Sequence, residues 1–322
     1  MKFITFHTFD KKKKAGWMQE DNLIIDMHAV TSGQLPSTIL ELVEGMETFM
    51  PLIQKFPPFQ YGDKGVYLLE EVQLDAPIPR PVSIRDFYAF EAHVKTARAR
   101  RGLGVVPEWY DFPVFYFTNH MSVTGPYDFI VRPPDCQSLD YELEIACVIG
   151  KEGKNISASD AKNHIFGFCI MNDWSARDLQ REEMKVGLGP AKGKDFATSF
   201  GPFLVTLDEL ESFRKGEQYH LEMIAKVNGI QLSKGNVKDL YYTFGEMIER
   251  ASNGVTLYPG EMIGSGTVGS GCILELGEEV HPWLEPGDEI SLSIVGLGTL
   301  TNRIIEERRG QNVLSSVREN ST

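Results

Sequence analysis

No run of this 322-residue chain approaches the roughly 18 apolar residues that a membrane-spanning helix needs. The opening residues, Met1-Lys2-Phe3-Ile4-Thr5-Phe6-His7, lack the long apolar stretch of a secretory signal. Positive charge is scarce. The 32 Lys and Arg against 45 Asp and Glu leave a net charge of −13. That balance excludes the broad basic surface that nucleic acid requires. The one basic run, Lys11 to Lys14, is short, lies between strand-like pieces, and reads as a charged turn. Cysteine is rare too. Cys136, Cys147, Cys169 and Cys272 show no C-x-x-C spacing, which argues against a disulfide framework or a zinc ribbon. In a reducing cytoplasm they are expected to be free and buried. Internal repeats and low-complexity segments are missing.

What is present suits a soluble enzyme. With 42% hydrophobic residues there is chain enough for a large core. Residues 1–30 alternate short apolar strands with turns. Residues 37–55 carry Ile39, Leu40, Leu42, Val43 and Met46 at helical spacing. The proline-rich passage Asp75-Ala76-Pro77-Ile78-Pro79-Arg80-Pro81 marks a boundary between a small domain, 1–80, and a larger one, 81–305. Residues 306–322 form a polar C-terminal tail. From 81 to about 101 the pattern suits a helix or lid rich in Arg and Ala. Phe166 to Asn172 reads as a buried strand leading into a helix from Ser175. Ser159 is a plausible cap for a short helix reaching His164. Beyond Phe203 strands dominate, with a helix at Tyr242 to Ala251.

The most informative stretch is Asp140-Tyr141-Glu142-Leu143-Glu144-Ile145-Ala146. On a strand, residues i and i+2 share a face, so Glu142 and Glu144 project side by side. Two carboxylates this close repel unless a cation lies between them. A hard divalent cation is the natural partner, and Asp173 of Met171-Asn172-Asp173-Trp174-Ser175-Ala176-Arg177-Asp178 would complete the cluster. The competing reading of the E-x-E pair alone is a half-exposed strand with a solvated acidic face.

Two motif matches fail on context. Gly264-Ser265-Gly266-Thr267-Val268-Gly269 fits G-x-G-x-x-G, but a dinucleotide site needs a following helix, and Gly271 to Gly277 reads as strand and turn. Gly193-Lys194 resembles the end of a phosphate loop. Leu188 stands where glycine is required, and Asp195 stands where Ser or Thr should bind magnesium.

Four further segments complete a pattern. They are Asp86-Phe87-Tyr88-Ala89-Phe90-Glu91-Ala92-His93, Lys192-Gly193-Lys194-Asp195-Phe196-Ala197-Thr198, Gly264-Ser265-Gly266-Thr267 and Ile273-Leu274-Glu275-Leu276. With LDYELE and NDWSARD, in this order, they resemble the fumarylacetoacetate hydrolase family over roughly residues 80 to 300. The resemblance implies a mixed α+β, mainly β fold: a β-roll with a smaller β-rich N-terminal domain. It implies a cytoplasmic homodimer acting on a small diketo acid, with no nucleic-acid or membrane partner.

The site roles come from the same resemblance. Asp86, Glu142, Glu144 and Asp173 are expected to hold the metal, though some relatives manage with three. Carboxylate ligands suit Mg²⁺ or Mn²⁺, or Ca²⁺, better than Zn²⁺. His93 is expected to be the general base and Glu275 the carboxylate that orients it; an imidazole titrates near neutrality, as that task requires. Lys194 is expected to stabilise developing negative charge. Tyr88, Tyr116, Gln180, Thr198 and Thr267 match substrate-side positions. Without the resemblance, His93 reads as a surface histidine on an Arg-rich helix, Glu275 as an exposed strand acid, Lys194 as a surface lysine and the tyrosines as core. His120 and His164 fall on no family motif and read as structural. Two positions depart from the pattern: Met184 replaces a tyrosine and Gly102 an arginine, both toward the distal end of the substrate.

The implied reaction is metal-dependent hydrolysis of a carbon–carbon bond in a 1,3-diketo acid, fumarylacetoacetate or an acylpyruvate-like analogue. The alternatives are oxaloacetate decarboxylation, isomerisation of a hydroxydienedioate, or a non-catalytic ligand-binding relative. Arg85, Arg98, Arg100 and Arg101 are expected to form a basic patch on a lid over 85–101 that attracts a dianionic substrate and closes over it.

Overall fold

The computed structural model describes residues 1–216 and 218–307. The expected polar tail lies outside the described residues from 308 onward.

A long mixed sheet forms the centre. The acidic strand Leu143–Ile149 is buried at every position. A strand covered on both faces reads as a continuous apolar run, here LEIACVI. The solvated acidic face considered above is therefore not what forms. This strand pairs antiparallel with Ile165–Asn172 on one side and Met262–Gly264 on the other. Ile84–Phe87 then runs parallel to Met262–Gly264, and Phe115–Phe117 pairs with Ile84–Phe87. In the other direction Thr198–Thr206 joins Ile165–Asn172 to Lys2–His7. Lys14–Gln19, Leu23–Asp26 and Val66–Leu68 extend the same sheet. The strands of the first 80 residues thus continue the central sheet. Phe3, Trp17 and Ile25 share a core with Ala146, Met171 and Met262.

A second sheet has the order Ile230–Asn236, Glu222–Val227, Glu289–Ile294, Gly298–Glu306, Phe129–Arg132. Burial alternates along Glu289–Ile294, as in a sheet with one inward face. Leu292 and Ile304 from this sheet join Ile145 and Ile170 from the first in the larger core. The architecture is mixed and mainly β, as expected.

Helices are short. The stretch expected over 37–55 is split at Gly45 into Ile39–Glu44 and Met46–Ile53. Phe244–Ser252 starts at a Thr243/Glu246 capping box. Four local expectations are corrected. The segment from 81 is not helical throughout: Ile84–Phe87 is a buried strand, because its apolar residues complete the sheet, and the helix begins at Glu91. Arg85 lies on that strand in a buried ion pair with Glu261, so it is not part of a lid. Ser159 caps nothing, since the turn Ala161–His164 is a 3₁₀ helix following Asp160. Ile273–Leu276 is a single helical turn, not a strand. All four cysteines are free and buried, and no helix among the described residues is long and apolar enough to cross a membrane.

Candidate active site

The sheet order explains how distant segments meet. Gly264 is registered with Ala146 on one neighbouring strand and with Asp86 on the other. A Cβ at 264 would lie 2.6 Å from the Asp86 carboxylate, so glycine makes room for it. Glu144 stands two residues from Ala146, and Asp173 follows the end of Ile165–Asn172. Ligand atoms of Asp86, Glu144 and Asp173 all lie within 4.8 Å of one another, and all three residues are buried. Gly266, with φ at +77°, turns its N–H toward the pair. That N–H donates to Glu144 Oε2 at 3.0 Å and Asp86 Oδ1 at 3.2 Å. Thr267 Oγ1 donates to Glu144 Oε1 at 3.3 Å, and Tyr116 donates to Asp173 Oδ2 at 2.6 Å.

Glu142 immediately precedes the acidic strand and turns toward cations. Lys194 Nζ donates to Glu142 Oε2 at 2.5 Å and to Asp173 Oδ2 at 2.6 Å. Arg177 donates to Glu142 Oε1 at 2.7 Å and to Asp140 Oδ2 at 2.8 Å. Lys194 is 4% exposed, so it is not the surface lysine its neighbours suggest. Gln180 Oε1 accepts from Arg177 at 3.1 Å.

The electrostatics of the cluster follow. Burial, then the Asp173 charge, push the Asp86 pKa well above the usual carboxylate range. Glu144 is raised well above its usual range by burial, then by Asp86, Glu142 and Asp173. Burial also raises Asp173, against the pull of Lys194. Burial would raise Glu142 as well, but Lys194, Arg177 and His93 outweigh it and hold Glu142 low. Burial would lower Lys194, yet Asp173 and Glu142 raise it. Asp86, Asp140, Glu142, Glu144 and Asp173 are buried against only Lys194 and Arg177 inside this network. The excess of negative charge calls for a cation. Asp173 Oδ1 is buried with no hydrogen-bond partner among the described residues. A buried acceptor left unpaired is costly unless a ligand satisfies it. Oxygen donors, one of them unpartnered, fit a hard divalent ion.

The second part of the site lies on the helix Glu91–Ala99 and the turn Ile273–Leu276. His93, Val94 and Ala97 form the buried stripe of the helix. His93 Nδ1 is 2.6 Å from Glu275 Oε1, with both residues buried. Glu275 also accepts from the Ser270 N–H at 3.0 Å and the Gly271 N–H at 3.3 Å. Tyr88 meets the His93 ring edge-on at 5.2 Å, and burial pushes its pKa up to about 12. Burial, then the Asp173 charge, raise Tyr116 well above the usual phenol range. Thr198, next to Ser199 that is registered with Asn172, is buried with its hydroxyl unpartnered among the described residues.

The expected arginine patch is largely consumed within the protein. Arg98 donates to Gly104 O, and Arg100 donates to Leu276 O and pairs with Glu279 at 3.0 Å. His164 is structural as expected, its Nδ1 donating to Lys151 O at 2.9 Å. An open cleft of about 420 Å³ borders Tyr116 and is lined by Phe117, Val186, Leu188 and Pro190.

Two site residues escaped the sequence reading. Asp140 accepts from the Ile273 and Leu274 N–H groups at 2.8 and 3.1 Å, capping the turn that presents Glu275. Arg177 ties Asp140 to Glu142. Both residues lie in the quoted motifs, but only their burial distinguishes them from surface charges.

Comparison with known proteins shows the family. Residues 83–305 match the family described as fumarylacetoacetate (FAA) hydrolase, C-terminal. The chain is 31% identical over 322 residues to the oxaloacetate tautomerase YisK of Bacillus subtilis (strain 168), covering 94% of this chain and all of that protein. It is 32% identical over 296 residues to a fumarylacetoacetase of Oryza sativa subsp. japonica, covering 70% of this chain and 69% of that protein. The solved fumarylacetoacetate hydrolase from psychrophilic Exiguobacterium antarcticum superposes with a TM-score of 0.72 at 27% identity, covering 95% of this chain and all of that one. This chain belongs to the fumarylacetoacetate hydrolase family, an enzyme family whose members include hydrolases, isomerases and oxaloacetate tautomerases.

Proposed function

We propose that this protein is a divalent-metal-dependent hydrolase that cleaves a carbon–carbon bond in a 1,3-diketo acid. The observation that carries the reading is the buried His93–Glu275 pair, linked through Asp140 and Arg177 to the acid cluster. Asp86, Glu144 and Asp173, with Glu142, would hold Mg²⁺ or Mn²⁺. The ion, when bound, supplies an electron sink for the substrate's oxygens.

The remaining steps belong to side chains. Glu275 accepts a hydrogen bond from His93 Nδ1–H and leaves Nε2 as the base. His93 removes a proton from water, whose oxygen then bonds to the carbonyl carbon. The carbon–carbon bond breaks, its electron pair passes to the enolate of the leaving fragment, and a proton returns to that carbon. Lys194, fixed between Glu142 and Asp173, places a cation where the negative charge develops. The cleft beside Tyr116 is lined mainly by apolar side chains, with Glu183 as its one charge, and so suits an acyl tail better than a second carboxylate. Met184, standing where the family has a tyrosine, points the same way. An acylpyruvate-like substrate therefore fits this chain better than fumarylacetoacetate.

A second reading, oxaloacetate tautomerisation, is favoured by the full-length match to the Bacillus subtilis tautomerase. His93 would then move a proton between carbon and the enol oxygen, with no water added. The deciding experiment offers acylpyruvates, fumarylacetoacetate and oxaloacetate to the purified protein with Mg²⁺ or Mn²⁺. Stoichiometric release of pyruvate and a carboxylic acid from an acylpyruvate supports hydrolysis. Accelerated enol-to-keto conversion of oxaloacetate without cleavage of any diketo acid would replace that reading with the second. The same reading takes the working form to be a homodimer, which sedimentation of the purified chain checks.

A further inference from the structure

Cys272 plays no part in the proposed chemistry, yet it is wholly buried against the dyad. Its Sγ lies 3.7 Å from Glu275 Oε1. Ligand atoms of His93, Cys272 and Glu275 all fall within 4.8 Å of one another. We propose that these three side chains form a second metal site, which takes a thiophilic divalent cation such as Zn²⁺ and thereby silences the dyad.

The donor set separates this site from the acid cluster. Thiolate and imidazole select Zn²⁺ and its soft relatives, whereas carboxylates alone suit Mg²⁺ and Mn²⁺. Three protein ligands leave the fourth tetrahedral position to water. Zinc legs of about 2.3 Å to sulfur and about 2.0 Å to oxygen place those two atoms roughly 3.5 Å apart, close to the observed separation. The Nδ1–Oε1 pair at 2.6 Å must open to about 3.3 Å to admit the ion, a shift within reach of side-chain rotation. Glu275 is already held in place by the Ser270 and Gly271 N–H groups, so one ligand is fixed in advance. The His93 side chain keeps 6% of its surface exposed and that of Glu275 2%, so the ion reaches the pair from the His93 side.

Binding exchanges one cation for one proton. The thiol proton passes to solvent, and the ring proton moves from Nδ1 to Nε2, where it occupies the nitrogen that serves as the base. With the ion in place the Glu275 oxygen no longer orients the imidazole. The acid cluster can stay loaded with Mg²⁺ while the base is disabled.

The test reads binding directly and needs no substrate, so it stands apart from the choice of reaction. Protein in excess Mg²⁺ is titrated with Co²⁺, and thiolate-to-cobalt charge transfer is followed in the near ultraviolet. The expected result is a band that saturates at one Co²⁺ per chain, is bleached by Zn²⁺, and is absent in Cys272→Ser. No band in the wild type, or the same band in Cys272→Ser, would overturn the site. Retained Mn²⁺ binding shows that the serine variant is folded. Should it fail to fold, His93→Ala decides. Its Co²⁺ affinity must fall by at least the roughly 10–100-fold that loss of an outer-shell partner costs, and an unchanged affinity overturns the site.

Discussion

Glu275→Gln is the substitution that most directly separates the dyad from the rest of the site. The change is nearly isosteric, but Oε2 accepts from the Ser270 N–H at 3.0 Å, whereas Oε1 both accepts from the Gly271 N–H at 3.3 Å and faces His93 Nδ1. With the amide oxygen kept on the shorter Ser270 bond, the amide NH₂ takes the Oε1 place, gives up the Gly271 contact and faces His93 Nδ1. An amide donor there forces Nδ1 to accept, which puts the ring proton on Nε2, the nitrogen needed as the base. The imidazolium formed during turnover also loses its counter-charge at 2.6 Å. A positioned general base contributes about 10²–10⁴-fold, and this variant should forfeit most of it, roughly 2.7–5.5 kcal/mol of barrier. Turnover of the best diketo acid at saturating Mg²⁺ is the assay, with Mn²⁺ affinity by calorimetry as the control. Metal affinity should hold, because Glu275 is not among the clustered carboxylates. Wild-type turnover in Glu275→Gln would refute the dyad.

The acid cluster makes its own predictions. Glu144→Ala removes a carboxylate held by Gly266 and Thr267, and should abolish Mn²⁺ binding and turnover together; calorimetry showing undiminished affinity would exclude Glu144 as a ligand. The raised pKa values of Asp86 and Glu144 predict how metal-free stability varies with pH. Acids whose folded pKa lies above the unfolded value near ~4 stabilise the fold below that value, and the gain is lost as pH rises through the folded pKa. Melting temperature in a chelator should therefore fall from mildly acidic to mildly alkaline pH, and the increment given by Mg²⁺ should widen; an increment that narrows would contradict the cluster. Asp140→Asn keeps the shape of the cap but loses the charge gripped by Arg177, and should lower turnover at least tenfold while Mn²⁺ still binds. Unaltered turnover would show that the Glu275 turn holds itself.

The architecture was legible where pattern and burial agree. The strands at Lys2–His7, Leu23–Asp26 and Ile165–Asn172 fall where apolar runs are bounded by turns. Asp86, Glu144, Asp173 and Lys194, identified by motif, meet in one buried cluster, and His93 and Glu275 meet in a second that Asp140 and Arg177 link to it. Failures came where tertiary context overrides local pattern. Ile84–Phe87 is a strand because Met262–Gly264 offers a parallel partner almost 180 residues away, which no local window contains. Ile273–Leu276 looks like a strand because Ile and Leu flank Glu275; it becomes a helical turn because Asp140 caps it from a different strand. Arg85 and Arg100 looked like substrate-steering charges, and their partners Glu261 and Glu279 are equally remote in sequence.

Those remote pairings explain why the parts of the candidate site hold one arrangement. From Glu275 the chain of contacts runs through its turn to Asp140, then to Arg177, Glu142, Lys194 and Asp173. Each link is a buried charged group with a partner. Breaking one link strands a charge in a low-dielectric interior, which costs about 3–5 kcal/mol. Stability alone does not account for such a network, since apolar packing of the same volume is often as good. What the network adds is register. The proposed base, His93, stands on a helix and Glu275 on a single turn, neither long enough to be rigid alone. The acid cluster stands on the central sheet. Among the described residues the Asp140–Arg177 bridge ties that turn by charge to Glu142 at the start of the central strand, so it would fix how far the proposed base sits from the acid cluster.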